Sequence, residues 1–293
     1  MFTANDETLV AGDDGGSTHF WNIANRTLTT TLADPNSSAV KSVALSPDGA
    51  ILAVGDGYVY GTSYLWNIAT GKIVATLKDP GRNANVSSVA FSHDGTLVAT
   101  ADQNGSTYLW TVPAGKLVGA LTDPSQDPAY TMTFSPDGTT VAVGGEGTIW
   151  LWNLAARTVS ATLSDPSAPE IVSLAFSPDG KTLACSDSAG HISLWNVASG
   201  KLTATLNDAG GSKDVAEVTF SPNGATLAAA DLYGHNTYLW NIAARTVTAT
   251  LTDPDSSGVT AVAFNRDGTT LVTGDNNGPS YLWKLTYRSA ATQ

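Results

Sequence analysis

Glu146 and Glu170 are the residues whose type and placement come nearest to catalysis. Two carboxylates in neighbouring loops can divide acid and base roles when they face each other across roughly 5–10 Å. The sequence alone does not set that distance. The four histidines, His19, His93, His191 and His235, could ligate a metal if several converged on one face. Each falls at a different phase of the chain's internal repeat, which argues against convergence. Asp13-Asp14-Gly15 and Asp275-Asn276-Asn277-Gly278 have the composition of calcium loops. They lack the alternating acidic spacing and the distal Glu, so they read as ordinary turns. The sequence carries no G-x-S-x-G, no G-x-x-x-x-G-K-[ST] and no H-E-x-x-H. Gly-Lys at 71–72, 115–116 and 200–201 reads as a hairpin turn, with nothing like a phosphate loop before it. The single Cys185 excludes an internal disulfide framework and reads as a small buried thiol. These residues point to no catalytic site, no metal and no cofactor.

The elements that must position them come from a repeat. Leu-Trp recurs at 65–66, 109–110, 151–152, 194–195, 239–240 and 282–283, with Phe20-Trp21 in the first copy. Successive tryptophans are 45, 44, 42, 43, 45 and 43 residues apart, a period that means stacked supersecondary units. Each copy has four short runs rich in β-branched and aromatic residues, as in Ile171–Phe176, Thr182–Cys185, Ile192–Trp195 and Leu202–Leu206. Turn chemistry separates them: Ser177-Pro178-Asp179-Gly180 presets one turn, and Asn196–Lys201 makes another. No run has the length or the 3.6 period of a helix.

A four-stranded meander alone buries neither face, whereas seven copies arranged radially bury both. The expectation is an all-β, seven-bladed propeller over residues 1–293, one domain, with the first and last blades incomplete. Tyr64, Tyr108, Tyr238 and Tyr281 share a strand face with the Trp two residues on, and Trp150 takes that place in the fourth copy. Small residues in the second run (Ala53, Ala99, Ala142, Ala184 and Ala228) suit the narrow part of a wedge. The chain opens at the close of a first run and stops before the Leu251 equivalent. We therefore expect a fragment, or a mis-started reading frame, of a longer protein, whose upstream residues would supply a strand and raise the melting temperature.

The formal charge is −12, from 26 Asp and Glu against 14 Lys and Arg. Recurring turn positions hold 17 of these carboxylates, including Asp34, Asp79, Asp123, Asp165, Asp208 and Asp253, so most of the acidity reads as turn architecture. It still disfavours nucleic acid, which needs clustered Lys and Arg. No apolar run approaches a membrane span and no signal peptide opens the chain, so membrane insertion is not expected. The default location is cytoplasmic, the alternative being an extracytoplasmic sensor region of a membrane-anchored kinase. A monomer is expected.

The repeat resembles the WD-repeat family over essentially the whole chain. FSPDG and its variants, the Gly-Asp after the second run and Leu-Trp-Asn carry the resemblance. The residue after Trp is Asn at 22, 67, 153, 196 and 241, Thr111 once and Lys284 once, where the family most often has Asp. Asp-Pro stands where the family has Gly-His, so the family's Asp–His–Ser/Thr–Trp relay lacks its His, with proline-stiffened turns as the expected substitute. Such repeats look like those that follow kinase domains in some bacterial serine/threonine kinases.

The resemblance implies a non-catalytic scaffold or sensor that binds a protein or peptide on its rim, within a larger bacterial signalling protein. Repeat-breaking residues in the loops after the second and fourth runs are the candidates: Tyr58, Tyr60, Arg82, Tyr130, Lys213, Tyr233 and His235. The alternative is a propeller that binds a small ligand or glycan at the mouth of its central channel, with calcium assisting. A propeller hydrolase is a third reading, disfavoured by the lack of an acid–base cluster.

Overall fold

In a computed structural model, residues 1–35, 39–57, 61–81, 85–123, 125–164, 168–207 and 215–286 are described. They form seven antiparallel sheets, each a meander in chain order. Five are four-stranded and the first and last are three-stranded. The architecture is the expected seven-bladed propeller, numbered here as blades 1 to 7 by Trp21, Trp66, Trp110, Trp152, Trp195, Trp240 and Trp283.

Blade 5 shows why this sequence makes this unit. Its strands are Ile171–Phe176, Thr182–Asp187, His191–Asn196 and Lys201–Asn207. The first turn is closed by Asp179, whose Oδ1 accepts from Ser177 Oγ at 2.6 Å and from the Lys181 N–H at 3.1 Å. Gly180 takes φ 69°, which the turn requires and a Cβ would resist. The third turn depends on Asn196, whose Oδ1 accepts from the Ser199 N–H at 2.9 Å. Asn67, Asn153 and Asn241 accept in the same way from Thr70, Ala156 and Ala244. That is the local reason for Trp-Asn: the amide oxygen caps a hairpin turn.

Every outer strand pairs with the third strand through a bulge just before the Trp, as between Leu194 and Trp195. Thr203 fills the gap by donating its hydroxyl to the Leu194 carbonyl at 2.8 Å. Thr29, Ser160 and Thr248 repeat this bond to Phe20, Leu151 and Leu239.

Alternation along the third strand sets the packing between blades. Leu65 and Leu77 of blade 2 face Val89, Val98, Tyr108 and Trp110 of blade 3 in one buried cluster. Leu109 and Leu121 of blade 3 meet Met132, Val141, Trp150 and Trp152 of blade 4 in the next. Each fully buried leucine contributes about 1.5–3 kcal/mol. The small second-strand residues Ala53, Ala99, Ala142, Ala184 and Ala228 are all buried. Near the channel, side chains staple one blade to the next: Val89, Val218 and Val262 donate N–H to Ser42, Ser173 and Glu217 at 3.0, 3.1 and 2.7 Å.

The seam between blades 7 and 1 differs from these interfaces. Trp21 is 39% exposed and Leu282 36%, whereas Trp110 is 4% and Leu109 1% exposed. Both oxygens of Asp6 accept the Arg266 N–H at 3.1 Å across this seam.

Because the strands alternate in direction, the turns after first and third strands lie at one end of the propeller. The loops after second and fourth strands lie at the other. The first is called the turn end below and the second the loop end.

Candidate partner-binding face

The loop end is built on the aspartate of Asp-Pro. Asp34, on the loop entering blade 2, accepts from Trp66 Nε1 at 2.7 Å. Asp79, on the loop entering blade 3, accepts from Thr100 Oγ1 at 3.0 Å, and Thr100 accepts from Trp110 Nε1 at 3.0 Å. Asp253, Thr273 and Trp283 repeat that chain at 2.7 and 3.1 Å in blade 7. Blade 2 has Val54 where blade 3 has Thr100, so its tryptophan reaches the carboxylate directly. In blades 2, 3 and 7 the tryptophan is therefore bonded without histidine, and in these blades the carboxylate beside the proline supplies the hydrogen bond that proline stiffening alone was expected to replace. Blades 5 and 6 have Cys185 and Ala229 at the threonine position, and the Trp195 and Trp240 Nε1 groups are buried without a partner among the described residues.

The tyrosine of Tyr-Leu-Trp pins the same loops. Tyr64 and Tyr281 donate to the carbonyls of Pro35 and Pro254 at 2.7 and 2.5 Å, and Gly81 donates its N–H to the Tyr108 hydroxyl at 3.1 Å. A second aspartate stands at the end of the second strand in every blade but the fourth, which has Gly145 there. In blades 3 and 5 it caps the loop that follows. Asp102 Oδ1 accepts from the N–H groups of Asn104 and Ser106, both at 2.9 Å. Asp187 does the same for Ala189 and His191, both at 2.9 Å.

These aspartates are buried next to one another and titrate accordingly. Burial, opposed by the Thr100 bond and assisted by the Asp102 charge, pushes the Asp79 carboxyl up to about 7. Burial, opposed by the Trp66 bond and assisted by Asp56, pushes Asp34 up to about 6. Burial also raises Asp253 and Asp102.

The two ends carry different charge. Among the described residues the loop end holds fifteen of the carboxylates, against two lysines, Lys41 and Lys78, and Glu217 lies within a first strand beside the channel. The turn end holds seven carboxylates against nine Lys and Arg. Most of the acidity is turn architecture residue by residue, and strand direction concentrates it at one end.

At Tyr130 three loop-end carboxylates act on one phenol. Tyr130 is half-buried, and its phenol is raised by burial first and then by the charges of Glu170, Glu146 and Asp127. Glycines let these loops approach. A Cβ on Gly145 would lie 2.9 Å from the Pro128 carbonyl oxygen and 3.1 Å from the Trp150 ring. The Ile171 N–H, next to Glu170, donates to the Gly145 carbonyl at 3.0 Å. Glu146 and Glu170, both exposed, are thus brought to one patch around a tyrosine.

Tyr233 is 70% exposed and His235 is also exposed, on one loop of blade 6. Asp231 Oδ1 holds that loop through the Tyr233 and Gly234 N–H groups at 3.1 and 2.7 Å. Tyr58, Tyr60, Arg82 and Lys213 lie outside the described residues. Two histidines that sequence reasoning set aside are hydrogen-bonded to aspartates here, His19 to Asp13 at 2.8 Å and His191 to Asp187 at 3.1 Å. Their signal was an aspartate four or six residues upstream, a spacing the turn folds into contact. Among the described residues no group of three or more His, Cys, Asp or Glu could hold a metal ion, and no helix is long and apolar enough to cross a membrane. Two clefts of about 300 Å³ and 320 Å³ lie at the turn end, one at the Asp6–Arg266 contact and one between Pro136 and Pro178.

No curated protein matches the chain. The family model described as the IFT122 first beta-propeller matches residues 57–292. The model described as WD domain, G-beta repeat matches residues 26–67. Seven tryptophan-anchored blades and a match over most of the chain agree: the protein belongs to the WD-repeat β-propeller family that the IFT122 first beta-propeller model describes.

Proposed function

We propose that the chain is a non-catalytic interaction module whose loop end docks a cationic segment of a protein partner. Propellers of this family are generally protein-interaction scaffolds. The observation that carries the finer reading is the charge separation: against two lysines, the described loop end presents the solvent-facing carboxylates Asp13, Asp14, Asp127, Glu146, Glu170 and Asp255, which carry the field whatever the protonation of the buried Asp34 and Asp79. Such a field steers a Lys- or Arg-rich segment to this end and away from the other. Tyr130, ringed by Asp127, Glu146 and Glu170, is the anchor for a Lys or Arg side chain, since a phenol face and carboxylates both attract a cation. Tyr233 and His235 provide a second contact on blade 6. The Asp-Pro and Leu-Trp-Asn repeats support a place for the module in a larger bacterial signalling protein. The small-ligand reading draws no support from the two turn-end clefts, which neither Tyr130 nor Tyr233 lines.

The test is binding of a fluorescent arginine-rich peptide at physiological salt to variants of equal charge. Glu146→Gln with Glu170→Gln removes two charges from the loop end, and Asp48→Asn with Asp94→Asn removes two from the turn end. Asn223 already fills the latter position in blade 6, bonding Ser221 and Ala225 as the aspartates do, so the control preserves the turns. The loop-end variant should bind roughly tenfold more weakly and the control within about twofold of wild type. Equal losses in both variants would sink the proposal.

A further inference from the structure

Asp79 is 8% exposed and Asp102 is fully buried. One oxygen of each is engaged as described above; Asp79 Oδ2 and Asp102 Oδ2 are buried and meet no donor among the described residues. Asp34 Oδ2 and Asp253 Oδ1 are in the same state at the entries to blades 2 and 7. A buried carboxylate oxygen without a donor is strongly unfavourable as a charge. A proton removes the charge and makes that oxygen a donor.

We propose that Asp79, and with it Asp34, holds its loop to the next blade as a protonated carboxyl, so that the loop end loosens as pH rises past neutrality. The loops concerned begin at these residues. The Asp79 N–H donates to the Gly61 carbonyl at 2.8 Å, its side chain reaches Trp110 through Thr100, and two residues on Gly81 meets Tyr108. Losing the proton leaves Asp79 a buried anion facing Asp102, with Thr100 as its donor and the Tyr108 phenol nearby. The groups facing Asp34 are Asp56, the Tyr64 phenol and the Trp66 indole, with the Lys41 stem packed over Gly57 beside Asp56. The upward shifts of both carboxyls agree with this arrangement. Asp253 faces Asp275 through the same relay, but its loop also carries the tight Gly258 contact to Leu232, which anchors it independently. The inference does not depend on which partner binds, because its readouts are protonation and loop anchoring.

The experiment is an NMR titration of the whole chain with carbon-13 in the aspartate carboxyls, from about pH 4 to about pH 8.5. The Asp79 carboxyl should change near neutrality and that of Asp34 about one unit lower, and the indole N–H signals of Trp110 and Trp66 should move with them. Asp79→Asn keeps an acceptor for Thr100 and supplies a permanent donor. It should fix the Trp110 signal at its low-pH position and slow hydrogen exchange at the loop's amides about tenfold at pH 8. The idea fails if both carboxyls titrate in the acid range with the exposed turn aspartates, or if the indoles do not follow. The wild-type titration decides this whether or not the variant folds.

Discussion

The two ends of the propeller use the same residue for opposite purposes. At the turn end Asp48, Asp94, Asp137 and Asp179 sit in solvent and accept hydrogen bonds from a serine and from backbone N–H groups. Those bonds, led by the serine hydroxyl in each case, hold all four below the usual carboxylate range. At the loop end Asp34, Asp79 and Asp253 are buried against tryptophan and a second aspartate, and all three are pushed up. An aspartate in a turn is cheap because water and N–H groups both solvate it. One between blades is tolerated only as part of a relay. The turn end is thus a set of local, self-sufficient motifs, and the loop end is a set of contacts between blades.

The largest difference between the ends should appear at their glycines. Gly258 takes φ 142° and a Cβ there would overlap the Leu232 carbonyl oxygen, a backbone atom of the preceding loop. Gly138 takes φ 70° in a turn, and its Cβ would meet only the His93 Cβ at 3.7 Å. Gly258→Ala should destabilise by about 3 kcal/mol or more, combining backbone strain with a clash that needs two loops to move. Gly138→Ala should cost only about 1 kcal/mol, the strain of a left-handed residue. Thermal unfolding of the two variants measures this, and equal costs would mean that the ends do not differ in how tightly their backbones pack.

How much of this was legible follows from the same division. The turn motifs are written within a few consecutive residues, so Ser-Pro-Asp-Gly and Trp-Asn could be read from the chain, and the tryptophan period fixed the blade count. Tyr-Leu-Trp alternation likewise predicted which side chains pack between blades. The relay was missed because Asp34 and Trp66 are 32 residues apart and meet only through the fold. The approach of Glu146 and Glu170 to Tyr130 was missed for a similar reason: it depends on the close passage of loops at Gly145. Charge polarity is a property of strand direction. A count of 26 acids against 14 bases is the same number whether they are mixed or sorted by end.

The ends should also impose opposite pH limits. The turn-end aspartates have lowered folded values, so their contribution is present above the ordinary value of 3.8 and is lost as pH falls through the folded values. Asp34 and Asp79 have raised folded values, so their contribution is complete below 3.8 and is lost as pH rises through about 6 and about 7. Stability should therefore peak in mildly acid solution. It should decline by something on the order of 2 kcal/mol between pH 5 and pH 8. Urea unfolding across that range measures it, and Asp79→Asn should flatten the alkaline limb while leaving the acid limb in place. An acid limb that moved with this substitution would show that the two ends are not separable.

The smallest effect concerns the turn end alone and tests whether its motifs are local. Asp137 Oδ1 accepts from Ser135 Oγ at 2.6 Å and from the Thr139 N–H at 3.0 Å, all within five residues. Asp137→Ala leaves the Thr139 N–H to water and the buried Ser135 hydroxyl without its acceptor, and should cost about 1 kcal/mol. Asp137→Asn keeps the accepting oxygen, as Asn223 does in blade 6 with bonds of 2.7 and 3.0 Å, and should stay within about 0.5 kcal/mol of wild type. The amide carries no charge, so the part of the cost that survives in Asn is electrostatic and the remainder is hydrogen-bond geometry. If Asn proved as costly as Ala, the charge would be what closes these turns. Asn223 in blade 6 would then need a compensating contact that the other turns lack.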